Sequence, residues 1–254
     1  MAIGKTHSVV LSVTPYRESS ILAVLFSREH GRFSGIAKGI RRGDRRRVPV
    51  ERGYIIEHIV YLKQHGDLHQ ITDCSIHDYF PLLRGDLEKT AIRDLLFDIV
   101  LSAVPAGDSH PDVYDFIVEF LTELSNVRQG FRGHLAYLSK TLFAFSRHLG
   151  FGLDFSQCSS CGCRTDGSAP MWLNIEQGMV RCDRCSSGFG ASADRLVSAG
   201  AAIWFSFSGS GDAPVLSVKE AVAALRLAYD YSRYHLEIRK NLESYAFVEH
   251  LAGM

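Results

Sequence analysis

Four cysteines carry the clearest chemistry in the chain: Cys158-x2-Cys161, twenty intervening residues, then Cys182-x2-Cys185. A two-residue gap lets one tight turn aim two thiolates at a common point, and two such knuckles complete a tetrahedron. Gly162 follows the first knuckle, where a backbone free to take positive φ is useful. Met171–Ile175 and Met179–Arg181 flank Glu176-Gln177-Gly178 as a hairpin, the device by which a ribbon brings its knuckles together. Four thiolates close the coordination sphere, so the spacing predicts one structural Zn2+ and not a catalytic ion, which would keep a position open. A thioredoxin-type use would need a strand-to-helix setting that this segment lacks. A zinc-deaminase site is excluded too, because Gln157 and Arg181 stand where a proline should precede each Cys-x-x-Cys. Cys163 could join only with strained geometry and is assigned as a free thiol; Cys74 reads as an ordinary half-buried residue.

The second chemical feature is the run Lys38-Gly39-Ile40-Arg41-Arg42-Gly43-Asp44-Arg45-Arg46-Arg47, six cations against one anion. Net charge over the whole chain is zero, from 28 basic and 28 acidic side chains, but the distribution is uneven. Residues 1–52 hold 11 basic and 4 acidic groups, a net of +7, and the remainder balances it with −7. A segmental excess of this kind marks a patch for a polyanion beside a more acidic body. Lys38, Arg41, Arg42, Arg45, Arg46 and Arg47 would neutralise phosphates and make affinity fall steeply with salt. Aromatic residues in the same region (Tyr16, Phe26, Phe33, Tyr54, Tyr61) supply rings on which bases could stack; most of them read as core, and Phe33 beside Arg32 is the pair selected for the stacking role.

The elements that must position these groups fall into three parts. Residues 1–80 read as five short strands: His7–Val13 (with Val9, Leu11 and Val13 on one face), Ser20–Ser27, Arg32–Ile40, Tyr54–Lys63 and Leu68–Cys74. Turns at Arg28–Gly31 and Gln64–Asp67 join neighbours. Tyr54–Lys63 is apolar on both faces, as suits a barrel whose outside is partly covered, and five strands in this length fit an OB-type barrel, although a five-stranded half-sandwich would look the same from sequence. The basic run lies in the loop between the third and fourth strands. From Asp86 the period becomes helical: one helix ends by Pro105, a second starts near Pro111, and a third runs from Phe131 to Leu149 with Gly150 as its cap. Residues 155–191 are rich in Cys, Gly and Ser, poor in core formers, and need a staple. Helices resume from Ser192 to Phe207, from the capping box Ser217-Val218-Lys219-Glu220 to His235, and over Glu237–Leu251. The expected fold is therefore α+β and multidomain. An OB-type nucleic-acid-binding barrel (1–80) precedes a helical domain (81–254), which is interrupted by the zinc module (155–191).

These parts resemble the RecO family of bacterial recombination mediators. The resemblance rests on Pro15-Tyr16-Arg17-Glu18-Ser19-Ser20-Ile21, on Leu25-Phe26-Ser27-Arg28-Glu29-His30-Gly31, and on the Gly-then-basic Ala37-Lys38-Gly39-Ile40-Arg41-Arg42. The order of parts and the stretch from Tyr234-His235-Leu236 to Lys240-Asn241-Leu242-Glu243-Ser244 extend it over the whole chain. One departure is visible: the family usually shows Gln-Pro-aromatic after the basic run, where this chain has Val48-Pro49-Val50-Glu51-Arg52-Gly53. The resemblance implies a protein that is not an enzyme and that binds single- and double-stranded DNA. It implies that the protein anneals complementary strands, pairs with RecR, and helps load RecA onto strands coated by single-strand-binding protein, which some members also contact. It further implies a cytoplasmic, nucleoid-associated protein.

Direct readings agree. Met1-Ala2-Ile3-Gly4-Lys5 has no apolar h-region, no apolar run is long enough for a membrane span, and six cysteines in such a chain suit a reducing compartment. No Gly-x-Ser-x-Gly, Walker-type loop or His-Glu-x-x-His occurs. Asp94 and Asp98, four apart on a helix, are offset by Arg93 and Lys89 and read as a surface ion network. The competing function is a zinc-ribbon protein-interaction adaptor of transcription or translation that does not bind DNA directly.

Overall fold

The computed structural model describes residues 2–38, 50–62, 68–128, 130–186, 194–207 and 215–253. The chain divides into two compact units, residues 1–126 and 127–254.

The first unit begins with five strands: β1 (Ala2–Tyr16), β2 (Ser20–Ser27), β3 (Gly31–Ala37), β4 (Ile55–Leu62) and β5 (Leu68–Asp78). They close into a barrel in the order β1-β2-β3-β5-β4, and β4 returns to β1. All pairings are antiparallel except β3–β5, where Ser34, Gly35 and Ile36 run parallel to Leu68, His69 and Gln70. This is the five-stranded OB-type closure, which removes every sheet edge. Alternation works as expected along β3, where Phe33 and Ala37 point inward with Leu25, Ile56, Val60 and Ile71. It fails along β1. A bulge between Val10 and Ser12 adds one residue, so Val13 joins Val10 at the barrel core, and Val9 and Leu11 are not part of that core. Val9 and Leu11 are nevertheless fully buried, because helices pack on the outside of β1.

Those helices are α2 (Leu87–Ala103) and α3 (Pro111–Asn126), preceded by the single turn α1 (Pro81–Arg84). Asp86 caps α2 by accepting from the Lys89 backbone N–H. The segment Val50–Gly53 locks the barrel to these helices. Val50 is buried, Glu51 pairs with Arg84 at 2.9 Å, and Arg52 bridges Asp94 (3.2 Å) and Asp98 (2.6 Å). Asp94 also accepts from Arg93, so the two carboxylates do form an ion network, but Arg52 joins it in place of Lys89, whose ammonium donates to the Ser125 carbonyl.

The barrel buries a histidine. His58 on β4 is fully buried, and its Nε2 lies 2.9 Å from the Ser8 hydroxyl. Burial pulls its pKa from the ordinary 6.5 to about 4, so the fold holds it neutral. The unfolded chain then takes up this proton first as pH falls. The stability tied to neutral His58 is whole above pH 6.5 and is lost as pH drops toward 4, an effect of roughly 3 kcal/mol. Urea unfolding at pH 7 and pH 4.5 should show this difference in the parent and a smaller one in His58→Gln. Equal acid sensitivity in both proteins would remove His58 as its source.

The second unit opens with α4 (Gly130–His148), ended at Gly150 in the left-handed region (φ 91°). Strands β6 (Met171–Asn174) and β7 (Met179–Cys182) form the expected hairpin, and α5 (Asp183–Ser186) follows. A third strand, β8 (Asp194–Val197), pairs with β6, giving the order β7-β6-β8. This corrects the expectation of a helix from residue 192, which itself lies outside the described residues. The helix, α6 (Ala199–Ser206), starts later and is capped by the Ser198 hydroxyl, because Asp194 is held on β6 by the Asn174 side chain (2.7 Å). The capping box at Ser217 and Glu220 opens α7 (Val218–His235) as read from the sequence. The last helix, α8 (Glu243–Ala252), begins six residues later than expected, after Glu237 turns the chain at φ 52°. Its first turn is fixed by Tyr245, which stacks on Tyr229 of α7 with centroids 3.6 Å apart.

Candidate functional site

The ribbon is built so that its cysteines converge. The Cys158 N–H donates to the Cys163 carbonyl (2.8 Å), the Gly162 N–H donates to the Cys158 carbonyl (2.9 Å), and Gly162 takes φ 69°, a turn that only glycine makes without penalty. The first knuckle is tied to the second by the Ser159 N–H, which donates to the Val180 carbonyl on β7 (2.8 Å). Cys158, Cys161, Cys163 and Cys182 place their sulfurs within 4.8 Å of one another. Cys185, on α5, lies against the thiols of Cys161, Cys182 and Cys158. Cys163 is thus part of the cluster, and the expectation that it stands apart is corrected. The left-handed turn at Gly162 lets residues two apart face the same point.

The electrostatics of the cluster suit a cation. Burial pushes the Cys158 thiol up, but backbone N–H groups of Cys182, Cys161 and Ser160 outweigh it and bring it down to about 6. Cys163 and Cys185 are each pushed up to about 12, first by their hydrogen bonds to the sulfurs of Cys161 and Cys182. Sulfurs that favour ionisation therefore sit beside sulfurs that resist it, and a soft or borderline divalent ion would relieve that conflict by binding all of them as thiolates. The donor set fits a metal ion held by four cysteines.

The ribbon is fastened to the helices of its own unit. Phe155, just before the first knuckle, packs between Phe143 of α4 and Phe205 of α6, with centroids 5.1 and 4.8 Å away. The Tyr231 hydroxyl of α7 donates to the Phe151 carbonyl (3.1 Å), and His235 Nε2 meets the Ile175 carbonyl at the hairpin turn (2.7 Å).

The residues selected for nucleic-acid contact fare unevenly. Arg41, Arg42, Arg45, Arg46 and Arg47 lie outside the described residues. The flanks of their segment are on the barrel: Ala37 and Val50 are buried in its core, and Lys38 is exposed. Phe33 is only 4 % exposed and belongs to that core, so it presents no ring for stacking, which corrects the role given to it. Its neighbour Arg32 points outward but is engaged. Its Nη1 donates to the Leu101 carbonyl at 2.9 Å, satisfying one of the last carbonyls of α2, and burial lowers its pKa. Arg32 therefore fastens the barrel to a helix end. Other barrel cations are also committed: Lys5 to Glu57 (2.9 Å), Arg28 to Asp115 (3.0 Å) and Arg52 to Asp94 and Asp98. Tyr16, at the β1–β2 turn, is half-buried, and the Arg17 guanidinium lies over its ring at 5.2 Å.

A closed OB-type barrel followed by helices, with a cysteine ribbon inserted among them, defines the class of this protein. Family models agree across nearly the full length: Recombination protein O N terminal matches residues 1–80, and Recombination protein O C terminal matches residues 84–242. The chain belongs to the RecO family of DNA repair proteins. It is 28% identical over 184 residues to a DNA repair protein RecO from Syntrophobacter fumaroxidans, covering 72% of this chain and 71% of that one. It is 25% identical over 194 residues to one from Geobacter metallireducens, covering 76% of each. With one from Cupriavidus pinatubonensis the identity is 30% over 185 residues, covering 70% of this chain and 59% of the other. Among the described residues no helix is long and apolar enough to cross a membrane.

Proposed function

We propose that this protein is a non-enzymatic recombination mediator. It binds single- and double-stranded DNA, anneals complementary single strands, and with RecR helps load RecA onto DNA coated by single-strand-binding protein. The observation that carries this reading is the placement of charge on a RecO-type barrel. Lys5, Arg28 and Arg52 pair with carboxylates and Arg32 with a helix end, and the sequence from Lys38 to Arg47 adds six basic side chains and one acidic one. Such a run, held at both ends by buried core residues, is suited to track a phosphate backbone without reading sequence. Tyr16 with Arg17 over it takes the stacking role first assigned to Phe33.

The metal is proposed to be one zinc ion held by Cys158, Cys161, Cys182 and Cys185, with a structural role. We propose further that the barrel spans residues 1–80, the helical domain 81–254 and the zinc module 155–191, in a cytoplasmic, nucleoid-associated protein.

A strand-annealing assay with complementary oligonucleotides, run with and without single-strand-binding protein, tests the function. The expected result is accelerated annealing in both conditions, and more RecA on coated strands once RecR is added. A protein-interaction adaptor of transcription or translation would give neither acceleration nor DNA retention at low salt.

A further inference from the structure

The sulfurs of Cys158, Cys161, Cys163 and Cys182 lie within 4.8 Å of one another, and Cys185 on α5 approaches three of them, so five thiols compete for an ion that accepts four. Three of them have fixed parts. Cys158 is the buried member, 2 % exposed, and Cys161 and Cys182 lie 3.8 Å apart at the centre, each in contact with the other sulfurs. The remaining two approach the same central pair from different elements. Cys163 leaves the first knuckle after Gly162, and Cys185 belongs to the second knuckle, on α5.

We infer that Cys163 and Cys185 are alternative fourth ligands, so that the ion passes between the sets Cys158, Cys161, Cys182, Cys185 and Cys158, Cys161, Cys163, Cys182. This rests on the reading of the cluster as a metal site. Both sets offer four thiolates of the same chemistry and charge, so neither is favoured by donor type. The Cys163 sulfur already lies within 4.8 Å of Cys158, Cys161 and Cys182, and Cys185 sits on α5 three residues after Cys182 with its thiol directed to Cys161 and Cys182, so the exchange needs side-chain rotation at one corner and no rebuilding of the ribbon. In the exchange one metal–sulfur bond forms as one breaks. The proton lost by the incoming thiol is taken up by the outgoing thiolate, so charge and proton count are conserved. The two sets differ mechanically. The first clamps α5 to the ion through Cys185, and the second anchors three ligands on the first knuckle, releasing α5 while the ion stays bound.

The full-length protein loaded with Co2+ tests this, because thiolate-to-cobalt charge-transfer intensity reports the number of bound sulfurs. Cys163→Ser and Cys185→Ser are each expected to fold, to hold about one equivalent of metal, and to keep the intensity of the parent. The double variant should lose about a quarter of that intensity and release the ion to a chelator about tenfold faster or more. If Cys185→Ser alone loses a sulfur or fails to fold while Cys163→Ser is silent, Cys163 is a bystander and the inference is wrong. The reverse pattern makes Cys163 a fixed ligand and also overturns exchange. A parent protein that binds neither Zn2+ nor Co2+ overturns the metal reading itself, a result distinct from either.

Discussion

Replacing Arg41, Arg42, Arg45, Arg46 and Arg47 together by alanine is expected to cut affinity for single-stranded DNA by roughly 10³-fold at 0.1 M salt, with parent and variant converging near 1 M. The size follows from counterion release. Each phosphate neutralised contributes about 0.7 to the slope of log affinity against log salt on a single strand, so five lost contacts flatten that slope by about 3.5. Fluorescence anisotropy of a labelled oligonucleotide across a salt series measures both quantities. The fold should be unaffected, because the anchors of the segment are Ala37 and Val50, which stay buried in the barrel core. Arg32→Ala is the contrasting control. Its guanidinium is bonded to the Leu101 carbonyl, so it should lower the unfolding midpoint and leave the salt slope alone. Identical slopes for the parent and the five-arginine variant would remove the basic run as the DNA-binding element.

The second large effect is expected from the metal. Cys182→Ser removes a sulfur that contacts Cys161 directly and is common to either ligand set, so zinc content should fall well below one equivalent. Without the ion, nothing ties the two knuckles together, and the ribbon keeps only the few buried apolar side chains of its short strands, such as Leu173 and Val180. Loss should spread into the helices through Phe155, which packs on Phe143 and Phe205, and through the His235 contact with the Ile175 carbonyl. Structural zinc supports folding directly. A loss of about 3–5 kcal/mol in a chain of this length lowers the melting temperature by roughly 10 °C. Calorimetry with metal analysis checks this. DNA affinity measured well below the transition should change little, since the basic run belongs to residues 1–80. A variant that stays folded, keeps a full equivalent of zinc and loses annealing would show that the ion serves DNA handling directly.

Much of this protein was legible in its residues. The Cys-x2-Cys pairs, the alternation of β2 and β3, the capping box at Ser217 and the basic run each depend on neighbours a few positions apart, so sequence alone determined the strands, the ribbon hairpin and the best-capped helices, whereas closure of the strands into a barrel rests on the long-range pairing of β1 with β4. What it left undecided depended on partners distant in the chain or on a single backbone angle. The bulge after Val10 moves Val13 to the other face, and no alternation pattern reveals an added residue. β8 is a strand only because β6, twenty residues earlier, offers it an edge. Arg32 and Phe33 are adjacent in sequence and looked like a DNA-contacting pair. Barrel closure buries one ring, and a helix end takes the other's guanidinium. The cysteines show both sides of this division. Their spacing predicted that the two knuckles would meet, and the sulfurs of Cys158, Cys161 and Cys182 do lie within 4.8 Å of one another. The left-handed turn at Gly162, visible only in the tertiary structure, brought Cys163 in with them, because the direction of a side chain two residues on is decided by that one φ.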